Sequence, residues 1–179
     1  MAIYTKIGDK GETTLFNSKT SRKVMVAKDS LKIDALGAID EVNSYLGIIS
    51  FSEEPGLKRT IEKLQEELFT IGSILVGANL RFYSTKTKYL ERQIDKMQRK
   101  LPVVNHFILP GGTPIGAQLY FARALARKAE RAIVALNKKE KIKPQVLVYL
   151  NRLSDFLYVL ARTVNYDRGA KEKFWQGAK

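Results

Sequence analysis

Ten positions near the start of the chain carry side chains suited to gripping an anion. Thr5-Lys6-Ile7-Gly8-Asp9-Lys10-Gly11-Glu12-Thr13-Thr14 holds two glycines, two lysines, an aspartate and three threonines. Glycines let backbone N–H groups turn toward a phosphate, lysines add charge, and threonine hydroxyls add donors. The spacing is neither a Walker A loop, since no Gly-Lys-Ser/Thr follows, nor Gly-x-Gly-x-x-Gly. By composition the segment reads as a phosphate grip or as a flexible basic arm.

Arg123, Arg127, Glu130 and Arg131 lie one turn apart on a helix, with Lys128 beside them. Three arginines on one face repel one another unless an anion sits there, although a solvated basic face has the same pattern. Asn151 and Asp155, four apart, interrupt a strongly apolar helix. Such polar groups either tie the helices together or read a ligand. Asp40, Glu41 and Asn43 interrupt an earlier helix, where a carboxylate can meet an arginine of the later one, within the subunit or across an interface. Phe107-Ile108-Leu109 is an apolar patch before the stiff Pro110-Gly111-Gly112 turn, and reads as a packed loop. His106 stands alone and is not read as a metal ligand.

The elements that must carry these groups are helical. Leu57, Ile61, Leu64, Leu68, Ile71, Leu75 and Ala78 alternate steps of four and three. So do Leu119, Ala122, Ala126, Ala129, Ile133 and Leu136, and again Val146, Leu150, Leu153, Leu157, Leu160 and Val164. Less regular stripes run through Ile33, Leu36, Ile39, Val42, Leu46, Ile49 and through Leu90, Ile94, Met97, Leu101. Each is one apolar face of an amphipathic helix. The expected fold is all-α, an antiparallel five-helix bundle in a single domain over 1–179. Within it, 1–30 is an irregular ligand-binding loop, 31–166 the bundle and 167–179 a flexible tail. Thr113 reads as an N-cap with Pro114 at the first helical position, and Lys143-Pro144 opens the last helix.

Composition removes several function classes. The 179 residues contain no cysteine and one histidine, which excludes disulfides, thiolate metal sites, a cysteine nucleophile and multi-imidazole metal centres. No apolar run has the length of a membrane span, and the start lacks a signal-peptide pattern, so a cytoplasmic location without membrane partners is expected. The 31 Lys and Arg against 18 Asp and Glu give a net charge of +13. That excess attracts polyanions, be they nucleic acid, anionic lipid or a phosphorylated small molecule, and also describes a lysine-rich solvated surface.

In order along the chain stand Tyr4-Thr5-Lys6-x-Gly8-Asp9-Lys10-Gly11-x-Thr13, Lys28-Asp29, Gly37-x-x-Asp40-Glu41-x-Asn43-Ser44 and Phe107-Ile108-Leu109-Pro110-Gly111-Gly112. Ala122-Arg123 with Arg127-x-Ala129-Glu130-Arg131 and Leu150-Asn151-Arg152-Leu153-Ser154-Asp155 follow. From residue 3 to about 166 the chain resembles the PduO-type ATP:cob(I)alamin adenosyltransferases, a family of trimeric five-helix bundles. The resemblance implies that cob(I)alamin attacks the 5′ carbon of ATP, with Mg2+ on the phosphates, forming adenosylcobalamin and triphosphate. The corrinoid is itself the nucleophile, in keeping with a chain that shows no nucleophilic constellation.

By that resemblance Thr5, Lys6, Ile7, Gly8, Thr13, Thr14 and Lys28 wrap the triphosphate. Arg127, Lys128, Glu130, Arg131 and Asn151 complete the nucleotide site. Arg123 pairs with Asp40 across a subunit interface, and Phe107 packs on the cobalamin face and excludes the axial ligand. No metal-ligating residue is expected; a reductase and a B12-dependent mutase are possible partners, and nucleic acid is not. The chain departs from the pattern at Arg127-Lys128, where the family has two arginines, and along residues 17–27. Competing readings are a nucleic-acid-binding bundle and an ATP-retaining sensor without turnover.

Overall fold

The computed structural model describes residue 4 and residues 6–17, 22–52 and 56–177. Five helices form where the apolar stripes require them: α1 (Leu31–Ser50), α2 (Leu57–Leu75), α3 (Ser84–Gln98), α4 (Pro114–Asn137) and α5 (Pro144–Asp167). The stripes are the buried faces. Ile61, Leu64, Leu68 and Ile71 of α2, Ala122, Ala126 and Ala129 of α4, and Leu150, Leu153 and Leu157 of α5 all lie in one core. Ala78 and Leu101, the last members of two stripes, fall just beyond α2 and α3.

The helix starts follow ordinary capping chemistry. Ser30 Oγ accepts from Ile33 N at the start of α1, and Thr113 Oγ1 accepts from Gly116 N with Pro114 in the first turn of α4. Asn137 Oδ1 accepts from Ile142 N and shapes the turn into α5.

The helices pack in the spatial order α2, α1, α4, α5, α3. Lys32 of α1 pairs with Glu140, just past the end of α4, and Glu41 of α1 with Lys128 of α4, so the two contacts step in opposite directions along the chain. Glu130 with Asn151 and Arg123 with Tyr158 do the same along α4 and α5, so both pairs are antiparallel. Small residues at 122, 126 and 129 let α4 approach closely at the centre. One buried carboxylate ties three helices together. Glu67 of α2 accepts from Tyr149 Oη of α5 at 2.5 Å and pairs with Lys86 of α3 at 3.3 Å. Burial, and then the Glu67 charge, push the Tyr149 phenol well above its usual pKa.

Two expectations need correction. The N-terminal segment is not irregular throughout. Strands β1 (Glu12–Asn17) and β2 (Arg22–Ala27) form an antiparallel hairpin in which Glu12 pairs with Ala27 and Asn17 with Arg22. Thr13, Thr14, Leu15, Phe16, Val24 and Val26 favour strand, but none is fully buried. A ribbon with no covered face needs no alternation of apolar and polar residues, so periodicity does not reveal it.

The segment after α5, expected to be a flexible tail, is bonded to the loop before α4. Leu109 N donates to Lys173 O and Trp175 N to Phe107 O, both at 2.8 Å, around an antiparallel bridge between Ile108 and Phe174. Main-chain pairing of this kind leaves no hydropathy signature. Among the described residues, no helix is long and apolar enough to cross a membrane.

Candidate active site

The anion-gripping segment folds on itself. Asp9 N bonds Lys6 O and Gly11 N bonds Gly8 O, making two tight turns. Lys28, just past β2, closes them by donating its backbone N–H to Gly11 O and its ammonium to Gly8 O, each at 2.8 Å. Gly11 has φ +81, open to glycine at little cost, and a Cβ on Gly8 would lie 3.2 Å from both Glu12 O and Lys28 Nζ. Lys6 adopts φ 59 and Ile7 stands exposed. Thr13 and Thr14 follow on β1. The structure thus gathers Lys6, Gly8 and Lys28 into one turn; Thr5 lies outside the described residues.

A second set lies between α1, α4 and α5. Asn151 Nδ2 donates to Glu130 Oε1 at 2.8 Å. Lys128 pairs with Glu41 at 2.7 Å, so the carboxylate of the first helix meets a lysine of the fourth and not an arginine. Arg127 and Arg131 are exposed and have no ion-pair partner among the described residues. Asp40 is likewise exposed and unpaired, and Arg123 instead stacks on Tyr158, its guanidinium 5.5 Å from the ring centre. Asp155 is held by Arg152 at 2.6 Å, and Arg152 also reaches Glu91 at 3.2 Å. These polar residues of α5 tie helices together at the surface.

The third set surrounds Phe107, which is 79% exposed on the loop between α3 and α4. Cavities of about 770 Å3 and 920 Å3 flank it. The first is walled by Ile94, Tyr120, Arg123, Arg152 and Tyr158, the second by Val104, Tyr158, Phe174 and Trp175; His106 and Phe107 border both. Trp175 meets Phe107 edge-on, ring centres 6.4 Å apart. Because Arg123 lines a cavity wall, the unpaired cations at 127 and 131 continue from that wall along α4 for about 12 Å at 1.5 Å per residue. A recess lined by rings on one side and by Glu91, Asp95 and Asp155 with Arg123 and Arg152 on the other therefore adjoins an anion track.

The profile of one family, described as cobalamin adenosyltransferase, matches residues 3–164. The chain belongs to that family. It is 39% identical to a corrinoid adenosyltransferase of Bacillus subtilis over 94% of this chain and 89% of the relative. It is 35% identical to the corrinoid adenosyltransferase PduO of Citrobacter freundii, of which it spans about half (51%). A solved variant of a PduO-type ATP:corrinoid adenosyltransferase from Lactobacillus reuteri, complexed with cobalamin and ATP, superimposes with a TM-score of 0.91. Its sequence identity is 33%, over 98% of this chain and all of that one.

In this member of the adenosyltransferase family, several residues around the Phe107 loop escaped the reading of the sequence. Asn165, 3% exposed in the last turns of α5, accepts from Thr113 N and Oγ1 and donates to Gly111 O. Tyr158 and Tyr120 form the floor beside Arg123, with ring centres 6.0 Å apart. Arg162 is buried against Glu172 of the tail. A polar residue in an otherwise apolar register was the available signal at 162 and 165. The two tyrosines look like ordinary core.

Proposed function

We propose that the chain transfers the 5′-deoxyadenosyl group of ATP to the cobalt of cob(I)alamin, releasing triphosphate. One juxtaposition carries the reading: the unpaired track of Arg127 and Arg131 begins at Arg123, in the wall of the cavity that Phe107 overhangs. A polyanion on that track lies beside a recess in which Phe107, Tyr120 and Tyr158 offer ring faces to a large planar ligand and Glu91, Asp95 and Asp155 offer acceptors to polar groups at its rim. Membership of the family supports the pairing of these two ligands.

The cobalt supplies both electrons of the new Co–C bond, the C5′–O bond breaks, and its electron pair leaves with triphosphate. The protein's work is placement and charge. Arg127, Arg131 and the Lys6–Gly8–Lys28 turn, with Ile7, Thr13 and Thr14 beside it, stabilise the departing tail. Thr5 belongs to the same proposed set. The Asn151–Glu130 pair is pre-formed to orient the nucleoside, with Lys128 holding α4 to α1 through Glu41. Phe107 packs on the corrinoid face and displaces its axial ligand, which makes cobalt(II) easier to reduce. The expected magnesium is assigned to the phosphates of ATP, as is general for nucleotide substrates.

We assign a homotrimer to the working enzyme. Asp40 and the arginines of α4 have unspent charge in the single chain, and the hairpin, marginal as an isolated ribbon, exposes Phe16, Val24 and Met25. The same reading places the enzyme in the cytoplasm, supplied by a corrinoid reductase and feeding a B12-dependent mutase.

The test is direct. ATP, Mg2+ and cob(I)alamin mixed with the protein should yield adenosylcobalamin and triphosphate; a folded sample that forms no Co–C bond would overturn the proposal. Phe107→Ala should keep nucleotide affinity and slow the reaction from cob(II)alamin most. Equal loss in both assays would remove the packing role.

A further inference from the structure

Phe107 is largely exposed, so packing does little to fix it. Among the described residues, the hydrogen bonds made by residues 103–110 are two main-chain bonds to the C-terminal segment, one at Phe107 O and one at Leu109 N. Beside the packing of the neighbouring Ile108 on the core, whatever holds that segment therefore helps to hold Phe107.

Beyond the main-chain bond of Ala170 N to Asn165 O, the side chain that holds the segment is Arg162 of α5, 7% exposed. Its guanidinium grips Glu172 with two bonds, Nε to Oε1 at 2.6 Å and Nη2 to Oε2 at 3.1 Å. Nη2 also donates to Pro102 O at 2.9 Å. A planar fork is suited to such a bidentate grip, and lysine could not reproduce it. Burial disfavours the Arg162 charge, but the bond and the charge of Glu172 outweigh it and raise its pKa. One side chain thus fastens both the beginning of the Phe107 loop, at residue 102, and the strand that pairs with its centre, at residues 173–175. The same guanidinium lies 6.0 Å from the Tyr158 ring, whose neighbour Arg123 lines the cavity.

We infer that Arg162 and Glu172 are positioning residues for the cobalt chemistry, acting on Phe107 through the 173–175 pairing. The inference rests on the proposed role of Phe107 and deepens it. Neither side chain touches substrate. Their effect is to keep an exposed ring at the height needed to displace an axial ligand, where a small misplacement costs rate steeply.

The experiment compares the parent, Phe107→Ala, Glu172→Gln and Glu172→Asp. Glu172 lies beyond α5, outside the bundle core, so its variants should fold; Arg162→Lys gives a second break from the other side. For each, ATP affinity is measured by titration, and the yield of base-off cob(II)alamin by its absorption spectrum with ATP present. Glu172→Gln and Arg162→Lys should bind ATP within about twofold of the parent and lose about tenfold in base-off yield. Glu172→Asp keeps the charge and should recover most of that yield. A normal yield in Glu172→Gln, with Phe107→Ala defective, would overturn the clamp while leaving the role of Phe107 intact. A normal yield in Phe107→Ala would overturn the role of Phe107 and the clamp with it. Glu172→Asp no better than Glu172→Gln would assign the loss to packing and refute the charge-based grip.

Discussion

The side-chain amide of Asn165 occupies the space that a β-carbon on Gly112 would need. Gly112 has φ +95, and its peptide neighbours, Gly111 O and Thr113 N, are the groups that Asn165 bonds. Two constraints therefore coincide at one residue: a left-handed backbone and no room. Gly111, one position earlier, has neither. Gly112→Ala should cost roughly 2–4 kcal/mol of stability, from strain at positive φ and from overpacking against the amide. Gly111→Ala should stay within roughly 1 kcal/mol. Urea unfolding of the two variants checks this, and equal losses would show that Asn165 yields freely.

Arg127 and Lys128 look alike in charge but differ in what they hold. Lys128 is engaged with Glu41, whereas Arg127 has no partner among the described residues. Losing a charge-assisted bond to phosphate costs about 1.5–3 kcal/mol, so Arg127→Ala should lower kcat/KM for ATP by about 10- to 100-fold. Its unfolding free energy should move by less than about 0.5 kcal/mol. Lys128→Ala should give a milder kinetic loss, because the exposed pair it breaks is worth about 0–1 kcal/mol. Steady-state kinetics with varied ATP separates the two, and unchanged kinetics in Arg127→Ala would reduce the stripe to surface.

What the sequence disclosed followed from burial. Each helix hides one face, so the four-and-three spacing at Leu57–Leu75 or Val146–Val164 is imposed by the core and is readable without a structure. Thr113 and Pro114 were readable because capping is local. The hairpin was not, since Thr13 to Phe16 and Val24 to Val26 bury neither face. The Ile108–Phe174 bridge and the Arg162–Glu172 grip join distant segments through main chain and a single ion pair, neither of which has a period. Of the proposed site, Lys28 bonds Gly8 and Asn151 bonds Glu130. Among the described residues, the N-terminal turn makes no hydrogen bond or ion pair with α4 or α5 within one chain.

Asp40 gives that separation a measurable consequence. It is exposed on α1 without a partner among the described residues, and Arg123 on α4 spends its charge only on the Tyr158 ring. If the two meet between subunits, Asp40→Asn strands a cation at the interface, typically a loss of about 2–5 kcal/mol of association free energy. Sedimentation across a range of protein concentrations should show a shift toward smaller species, with helix content unchanged. A variant that sediments like the parent would argue against a pair across the interface.

Tyr120 offers a test at high pH. It is 5% exposed and its hydroxyl has no hydrogen-bond partner among the described residues. Burial first, then the nearby Tyr158 and Glu172, push its pKa from 10.0 up to about 12, against the lowering pull of Arg162 and Arg123. Between those values the folded chain keeps a proton that the unfolded chain has released. The contribution of Tyr120 is therefore complete below pH 10 and is lost as pH rises through about 12. Tyr120→Phe deletes both the titration and an unpartnered buried hydroxyl, so it should be neutral or slightly stabilising near neutral pH. Lysines also titrate in the alkaline range, so the quantity to follow is the difference between variant and parent, obtained from denaturant unfolding at successive pH values. That difference should grow in favour of the variant as pH climbs past 10. An advantage that stays constant over the whole window would mean that the hydroxyl ionises as easily in the folded chain as in the unfolded one, and that the floor beside Arg123 is open to water.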